Sequence, residues 1–420
     1  MRAALLSQGD EVLQGHIVDT NSAWLADALI ALGIEVIEHR TVGDDLELLT
    51  RAFQVLTERY DVILSTGGLG PTCDDLTSEA MAAAAGVALA FDAEAHEHIV
   101  ERYARAGRTM AAANRKQAYL PVGATRLDNA HGTAPGFLLT VPRPSGSSSL
   151  LVALPGPPNE MRPMFERQVT PALVQRSGRT PDHRMVLRTT GIGESALQDR
   201  IGTLDAPGVR LGFHTTPGEN RVKLAAHPDV PLSDLHAVAT RVHHQLGDVV
   251  FSVEGPDDAP RSLAAVIGDR LVHTESTFAV AESCTGGRIA SLLTSVPGAS
   301  RWFLGGMVAY ANQLKQQVLG VPETLLHQFG AVSEPVAAAM AEGMRALTSS
   351  DITLATTGIA GPGGGTPSKP VGLVCFAVCT AAGTVTSARR FQGNRHRVQV
   401  LASAHGLDLV RRTLSQSPSH

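Results

Sequence analysis

The chain is poor in aromatic residues and in cysteine, and each shortage excludes a class of protein. Only 4% of its 420 residues are aromatic, which argues against a platform that stacks single-stranded bases on aromatic rings. Its four cysteines are too few for a disulfide framework, and none of their spacings is typical of a zinc or redox site. We therefore expect reduced thiols at Cys73, Cys284, Cys375 and Cys379.

The chain also lacks a basic block, a long apolar run and a leader-like N-terminus. Its 35 basic and 40 acidic residues give a formal charge of −5, so we expect no direct binding to nucleic acid. The stretch from Met1 to Ser7 is too short for a signal peptide, and no apolar run long enough to span a membrane follows it. These absences predict a cytoplasmic protein that does not contact a membrane.

A chain of 420 residues is too long for one compact core, so several domains are expected. Alternating strand-like and helix-like segments predict a multi-domain α/β fold: an N-terminal α/β sheet domain over 1–172, a small α+β domain over 173–257 and a C-terminal α/β domain over 258–420. In the middle domain the order of elements is β-α-β-β-α-β, and no cluster of acid, base and nucleophile is found there.

The N-terminal domain reads as β-α-β units, which build a parallel sheet whose ligands bind at the carboxyl ends of the strands. The first strand leads to an acidic pair, and the third leads to a glycine-rich loop that ends in two aspartates. Backbone amides in such a loop can hold a phosphate, and the carboxylates can hold a divalent metal against it. The plainer interpretation is a turn followed by a helix cap. The candidate residues are Asp10, Glu11, Gly67, Gly68, Gly70, Asp74 and Asp75.

In the C-terminal domain, the stretch from Ala279 to Gly287 reads as a buried strand, a polar turn and the start of a helix. Unpaired amides and the helix dipole at such a place favour a phosphate or a developing oxyanion. The hydroxyl of Ser283 could act there as a nucleophile if a base lies near it. The alternative is an ordinary helix cap with a glycine turn, and Cys284 is a rival nucleophile.

Two further strands of this domain also end in polar or glycine-rich segments. One is followed by Tyr310, Asn312 and Lys315, and the other by the run from Thr357 to Gly365. A hydroxyl, a phenol or amine that moves its proton, and amides for an oxyanion are what amide hydrolysis requires. Arg397, near the start of the last helix, would suit a substrate phosphate. We expect this chemistry to need no metal.

The N-terminal motifs resemble those of the CinA, or competence/damage-inducible, protein family. They are Gly-Asp-Glu at 9–11, the run at 67–77, Gly-Thr-Ala-Pro-Gly at 132–136 and Leu-Pro-Gly-Pro-Pro-Asn-Glu-Met at 154–161. The resemblance implies a molybdopterin-binding-like domain that acts as a metal-dependent ADP-ribose pyrophosphatase and yields AMP and ribose 5-phosphate. It implies a divalent ion (Mg²⁺, Mn²⁺ or Co²⁺, with a monovalent cation as an optional addition) held by Asp10 and Asp75. Asn159 and Glu160 complete the implied nucleotide site.

The C-terminal motifs are similar to the family's nicotinamide-nucleotide amidohydrolase domain, which converts nicotinamide mononucleotide (NMN) to nicotinate mononucleotide and ammonia. They include Ala-Glu-Ser-Cys-Thr-Gly-Gly at 281–287, Gly-Ala-Val-Ser-Glu-Pro-Val-Ala at 330–337 and the glycine-rich run at 357–372. The resemblance implies Ser283, Tyr310 and Lys315 as catalytic residues. It implies contacts to NMN from Thr285, Gly286, Asn312, Thr357, Gly358 and Arg397.

The sequence therefore predicts a nucleotide-recycling hydrolase with two activities, and we expect a homodimer. Two other interpretations stay open. The chain could be a non-catalytic recruitment protein in competence or DNA repair, or a deamidase whose N-terminal domain is pterin-binding or inactive.

Overall fold

A computed structural model describes residues 1–256 and 258–416. The chain divides into two compact units, Met1–Asp182 and the residues from His183 onward. Helix Thr170–Ser177 spans the predicted boundary at residue 172, so the first unit extends further than the predicted domain. The second unit contains two separate sheets, and its division into a middle and a C-terminal domain stays a prediction.

The first unit is built on a six-stranded sheet. Its strands and those of a small two-stranded sheet are β1 (Arg2–Gln8), β2 (Glu35–Val42), β3 (Val62–Thr66), β4 (Leu89–Phe91), β5 (Tyr119–Pro121), β6 (Thr125–Leu127), β7 (Gly136–Pro142) and β8 (Ser148–Leu154). Its helices are α1 (Asp10–Leu13), α2 (Thr20–Ala31), α3 (Leu46–Arg59), α4 (Thr77–Ala85), α5 (Ala93–Arg105), α6 (Pro158–Met164) and α7 (Thr170–Ser177). A 3₁₀ helix spans Ala112–Ala118, and a π-helical segment spans Phe165–Val169.

The large sheet has the strand order β2-β1-β3-β8-β7-β6. Strands β2, β1, β3 and β8 are parallel, as the β-α-β pattern predicted, and β7 pairs antiparallel with both β8 and β6. Successive side chains of β1 enter different cores: Ala4 and Leu6 pack on one face, and Ala3 and Leu5 on the other. A strand buried on both faces needs this continuous apolar run, because side chains alternate along it.

The second unit carries a four-stranded and a five-stranded sheet. Its strands are β9 (His183–Thr189), β10 (Val209–Thr216), β11 (Glu219–Ala226), β12 (Val250–Glu254), β13 (Phe278–Glu282), β14 (Phe303–Val308), β15 (Ile352–Gly358), β16 (Leu373–Thr380) and β17 (Gly383–Arg390). Its helices are α8 (Glu194–Ile201), α9 (Leu232–Leu246), α10 (Leu263–His273), α11 (Arg288–Thr294), α12 (Asn312–Gln317), α13 (Glu323–Phe329), α14 (Glu334–Thr348) and α15 (Arg395–Gln416), with short 3₁₀ helices at Gly247–Val249 and Ala299–Arg301.

The four-stranded sheet follows the predicted β-α-β-β-α-β order, with β9, α8, β10, β11, α9 and β12 along the chain. Its strand order is β10-β11-β9-β12, and every pairing is antiparallel. One face of β11 is buried at Val222, Leu224 and Ala226, against the apolar face of α9. This alternation is the pattern of a sheet that is covered on one side.

The five-stranded sheet has the order β14-β13-β15-β16-β17. Strands β14, β13 and β15 are parallel, so their carboxyl ends share one edge, while β16 pairs antiparallel with both β15 and β17. The interior strand β13 is fully buried and sends Phe278 and Val280 into one core and Ala279 and Ala281 into another. Tight packing on both faces fixes the position at which the chain leaves β13, and Ser283 is the next residue.

None of the helices in the described part of the chain combines the length and the apolar character that crossing a bilayer requires.

Candidate active site

The turn after β13 is held in one conformation by two glycines and one buried carboxylate. Gly286 and Gly287 have φ of 63° and 88°, a left-handed conformation that strongly favours glycine. The side chain of Glu282 accepts hydrogen bonds from the amides of Gly287 (3.0 Å), Ile289 (3.2 Å) and Ala290 (2.8 Å). The expectation of unpaired amides at the start of α11 was therefore wrong for these three groups, because a carboxylate of the protein already occupies them.

Ser283 lies against the amine of Lys315. The Nζ atom of Lys315 is 3.3 Å from Oγ of Ser283, and the two side chains are 1% and 8% exposed, respectively. Lys315 belongs to α12, which follows the neighbouring parallel strand β14, so two adjacent strands deliver the two groups to one edge. A hydroxyl beside a buried amine is the arrangement that activates a serine nucleophile.

The surroundings of Lys315 make its neutral form easier to reach than that of a solvent-exposed lysine. Burial lowers the pKa of its amine, and none of the described carboxylates forms an ion pair with it. The Nζ atom donates to the carbonyl oxygens of Ala309 (2.8 Å) and Tyr310 (3.0 Å). A neutral amine has two N–H donors and one lone pair. The Nζ atom also donates to Oγ of Ser283. Once the amine loses a proton, its two remaining N–H groups can stay on the carbonyls while its lone pair faces that hydroxyl.

Tyr310 makes a different contact from the one its predicted role required. Its side chain is 58% exposed, and its phenol oxygen accepts a hydrogen bond of 2.8 Å from Nη2 of Arg395. The other terminal nitrogen of Arg395 donates to the carbonyl of Gly361 at 2.9 Å. The structure thus joins Ser283 to Lys315 and Tyr310 to Arg395.

Cys284 is a poor rival to Ser283. Its side chain is 5% exposed, and burial raises the pKa of its thiol to about 12. A thiol with such a pKa is protonated at neutral pH and is a weak nucleophile.

Other predicted substrate contacts are occupied within the fold. The hydroxyl of Thr285 lies 2.8 Å from that of Thr356, and the hydroxyl of Thr357 donates to the carbonyl of Ala331 at 2.7 Å. At Gly358 a Cβ atom would lie 2.7 Å from the carbonyl oxygen of Leu373, so this glycine permits the close pairing of β15 with β16.

Asn312 and Arg397 are both exposed. Asn312 begins α12, so it lies in the same short helix as Lys315. Arg397 lines a cavity of about 320 Å³ together with Asn220, Arg389 and His405, among others. Neither Ser283 nor Lys315 lines that cavity.

The first unit has its own cleft, of about 350 Å³, at the carboxyl ends of the parallel strands. The predicted residues that line it are Glu11, Gly67, Gly68, Gly70, Asp74, Asp75 and Glu160. Asp10 and Asn159 are exposed and do not line it. Asp10 begins α1, and its carboxylate accepts the amide of Asp44 at 3.2 Å. The amide of Asp10 in turn donates to the carboxylate of Asp44 at 3.0 Å.

The predicted divalent metal does not fit the observed positions of these carboxylates. Among residues 1–256 and 258–416, no three or more His, Cys, Asp or Glu side chains are arranged to hold an ion. The carboxylate of Asp75 accepts from the amide (2.8 Å) and the hydroxyl (2.5 Å) of Thr72, so it is engaged within its own loop. Asp10 faces Asp44 instead of Asp75, and we derive no reaction step through a metal.

The sequence analysis did not predict three of the residues that line the cleft, which are Gln8, Asp44 and Gln117. Gln8, the last residue of β1, is 5% exposed and donates to Asp44 and to the carbonyl of Asp74, both at 2.9 Å. Gln117 donates to the carbonyl of Leu69 at 3.2 Å. A polar residue at the end of an otherwise apolar strand is a usable signal, and Gln8 and Glu282 both carry it. Asp44 and Gln117 lie in segments without such a pattern.

Comparison with known proteins gives two family models and several relatives that this chain resembles. A family model described as the CinA C-terminal domain matches residues 260–414, and one described as a probable molybdopterin binding domain matches residues 4–175. The chain is 41% identical to a putative competence-damage inducible protein of Desulforudis audaxviator over 99% of this chain and 100% of the relative. It is 40% identical to a CinA-like protein of Geobacter metallireducens over 99% of each chain. A solved CinA superfamily protein from Escherichia coli is 34% identical, covers 36% of this chain and 88% of its own, and aligns with a TM-score of 0.35.

Proposed function

Since this chain belongs to the CinA, or competence-damage inducible, protein family, we propose that its C-terminal part deamidates NMN to nicotinate mononucleotide and ammonia. The observation that carries the proposal is the buried pair of Ser283 and Lys315, with Oγ and Nζ 3.3 Å apart. A serine beside an amine of lowered pKa is suited to attack on a carboxamide carbon.

In the proposed reaction, Lys315 takes the proton of Ser283 as Oγ attacks the carboxamide carbon of NMN. The tetrahedral intermediate collapses when its C–N bond breaks, and the leaving nitrogen takes that proton from Lys315 and departs as ammonia. Water then attacks the acyl-serine, Lys315 accepts a proton from it, and nicotinate mononucleotide is released while Ser283 regains its proton. One water is consumed, and one ammonia is formed.

Tyr310 and Arg395 are proposed to bind the substrate. The guanidinium of Arg395 lies beside the phenol of Tyr310 and can pair with the phosphate of NMN. Thr285, Thr357 and Gly358 help to hold the strand ends together, and Gly286 permits the turn between β13 and α11. Asn312 stays a predicted contact to NMN. Arg397 lines a different cavity and is proposed to contribute little to NMN binding.

The acyl-enzyme is the intermediate that tests this proposal. Rapid acid quenching of the full-length protein with NMN, followed by peptide mass spectrometry, should find the nicotinate nucleotide acyl group on Ser283. A Lys315→Arg variant places a permanently charged guanidinium there, which cannot serve as a base, so it should not accumulate this species. Turnover of NMN by the wild type without any trapped ester on Ser283 would support direct attack by water and would contradict a covalent path.

The N-terminal cleft supports a second activity, the hydrolysis of ADP-ribose to AMP and ribose 5-phosphate. The supporting observation is a glycine loop and several carboxylates around one cleft at the carboxyl ends of parallel strands. ADP-ribose hydrolysis that is lost in Asp75→Ala and retained in Ser283→Ala would establish it. A pterin-binding or inactive domain would show no ADP-ribose hydrolysis with any of Mg²⁺, Mn²⁺ or Co²⁺ added.

A recruitment role in competence or repair stays the alternative, and it predicts no turnover of NMN. The cytoplasmic location and the homodimer likewise stay predictions.

A further inference from the structure

Glu282 is a buried carboxylate to which the proposed reaction assigns no role. Its side chain is 1% exposed, and it precedes Ser283 at the end of β13. Burying a carboxylate is costly unless its charge is compensated. No described Lys or Arg forms an ion pair with Glu282, and its compensation comes from the three backbone amides at the start of α11.

These contacts decide which amides around Ser283 remain for a substrate. Glu282 takes the amides of residues 287, 289 and 290. The amide of Gly286 donates to the carbonyl of Ser283, and that of Arg288 to the carbonyl of Thr285, both at 3.2 Å. Every amide from 286 to 290 is therefore used inside the turn. Within the described residues, the amides of Cys284 and Thr285 donate to no other residue.

We propose that Glu282 is the positioning residue of this site. It ties the start of α11 to the end of β13, so that Ser283 Oγ is held against Lys315 and the amides of Cys284 and Thr285 are presented to the developing oxyanion. This inference rests on the proposed deamidation. An oxyanion donor acts by stabilising charge that develops only in the transition state, so its misplacement lowers kcat more than it raises KM.

A purely structural cap would behave differently from a positioning residue. Loss of either one weakens the start of α11 and lowers stability. Only a positioning residue also sets the rate at which Ser283 reacts in protein that remains folded.

The test compares Glu282→Gln with a matched control in the full-length protein. Glutamine keeps the shape but places an NH₂ group against a backbone N–H, which breaks at least one of the three hydrogen bonds. The control is Asp351→Asn, since the carboxylate of Asp351 also accepts from a backbone amide, that of Thr277 at 2.8 Å. Asp351 precedes β15 and Thr277 precedes β13, so their hydrogen bond lies at the edge of the sheet opposite Ser283.

Three quantities are measured on each variant: kcat and KM for ammonia release from NMN, the labelling rate of Ser283 by a fluorophosphonate, and amide hydrogen exchange over residues 283–290. We expect Glu282→Gln to lower kcat about 100-fold with KM within about threefold. Its labelling should slow, and exchange at residues 287, 289 and 290 should accelerate. Asp351→Asn should leave kcat and labelling within about twofold while lowering the melting temperature.

An unchanged labelling rate in folded Glu282→Gln would overturn the inference, and so would a wild-type Ser283 that is not labelled at all. Absence of ammonia release from the wild type would refute the proposed substrate. Labelling and exchange would still decide the role of Glu282 in that case, because neither measurement uses NMN.

Discussion

Replacing Lys315 with methionine tests the pairing on which the proposed chemistry depends. The substitution removes the only group that lies within hydrogen-bonding distance of Ser283 Oγ among the described side chains. Methionine has a similar length and no charge, so it fills the same buried space without the proton acceptor.

The expected loss of rate follows from the role of a general base. Positioned proton transfer typically contributes about 10²–10⁴ in rate, so kcat should fall by at least about 100-fold. The stability cost should be modest. The carbonyls of Ala309 and Tyr310 lose their donor, at about 1–3 kcal/mol for each one left unsatisfied, while the penalty for burying an ionisable amine disappears.

The assay is ammonia release from NMN as a function of pH, with melting curves on the same samples. The lowered pKa of Lys315 means that its neutral, active form appears below pH 10.5, so wild-type kcat should rise with pH and level off before that value. The free energy of unfolding should also rise with pH. Between the folded pKa of Lys315 and 10.5 the amine is protonated in the unfolded chain and neutral in the folded chain, so raising the pH across this range stabilises the folded wild type. A folded Lys315→Met protein that retains kcat within about threefold would refute the assignment of Lys315 as the base.

Three further predictions follow from the same geometry. Cys284→Ala should keep the rate of ammonia release within about threefold, because burial raises the pKa of that thiol to about 12. A loss of more than about tenfold would indicate that Cys284 is the nucleophile. Burial lowers the pKa of His405 to about 4, so the free energy of unfolding should fall by at most about 3 kcal/mol as pH drops from 6.5 to 4. Urea titrations of His405→Gln should show a flatter dependence, and an identical slope would contradict this account. Arg395→Ala should raise KM for NMN about tenfold or more, whereas Arg397→Ala should change it by less than about threefold. Steady-state kinetics that show the larger effect for Arg397→Ala would favour Arg397 as the residue that binds the phosphate.

The backbone organisation was largely predictable because apolar periodicity and turn residues carry it. The parallel strands of the first unit and the β-α-β-β-α-β order of the middle segment were both confirmed. The glycine-rich run from Gly67 to Asp75 lines the cleft because a loop after a parallel strand must lie at the carboxyl edge of the sheet.

The side-chain contacts were less predictable because they depend on helix rotation and on residues far apart in the sequence. Arg395 and Arg397 are two positions apart on one helix, which turns their side chains by about 200° relative to each other. Only one of them reaches Tyr310, and the sequence does not reveal which. The turn of Asp10 towards Asp44 depends in the same way on where α1 begins.

The most direct test of the central claim is ammonia release from NMN by the full-length protein, measured for the wild type and for Ser283→Ala. The account predicts turnover to nicotinate mononucleotide and ammonia by the wild type. It predicts a loss of at least about 10³-fold in the variant, which should remain folded because Ser283 is small and its hydroxyl contacts only Lys315 among the described side chains. Undiminished turnover by Ser283→Ala, or no turnover by folded wild type, would contradict it.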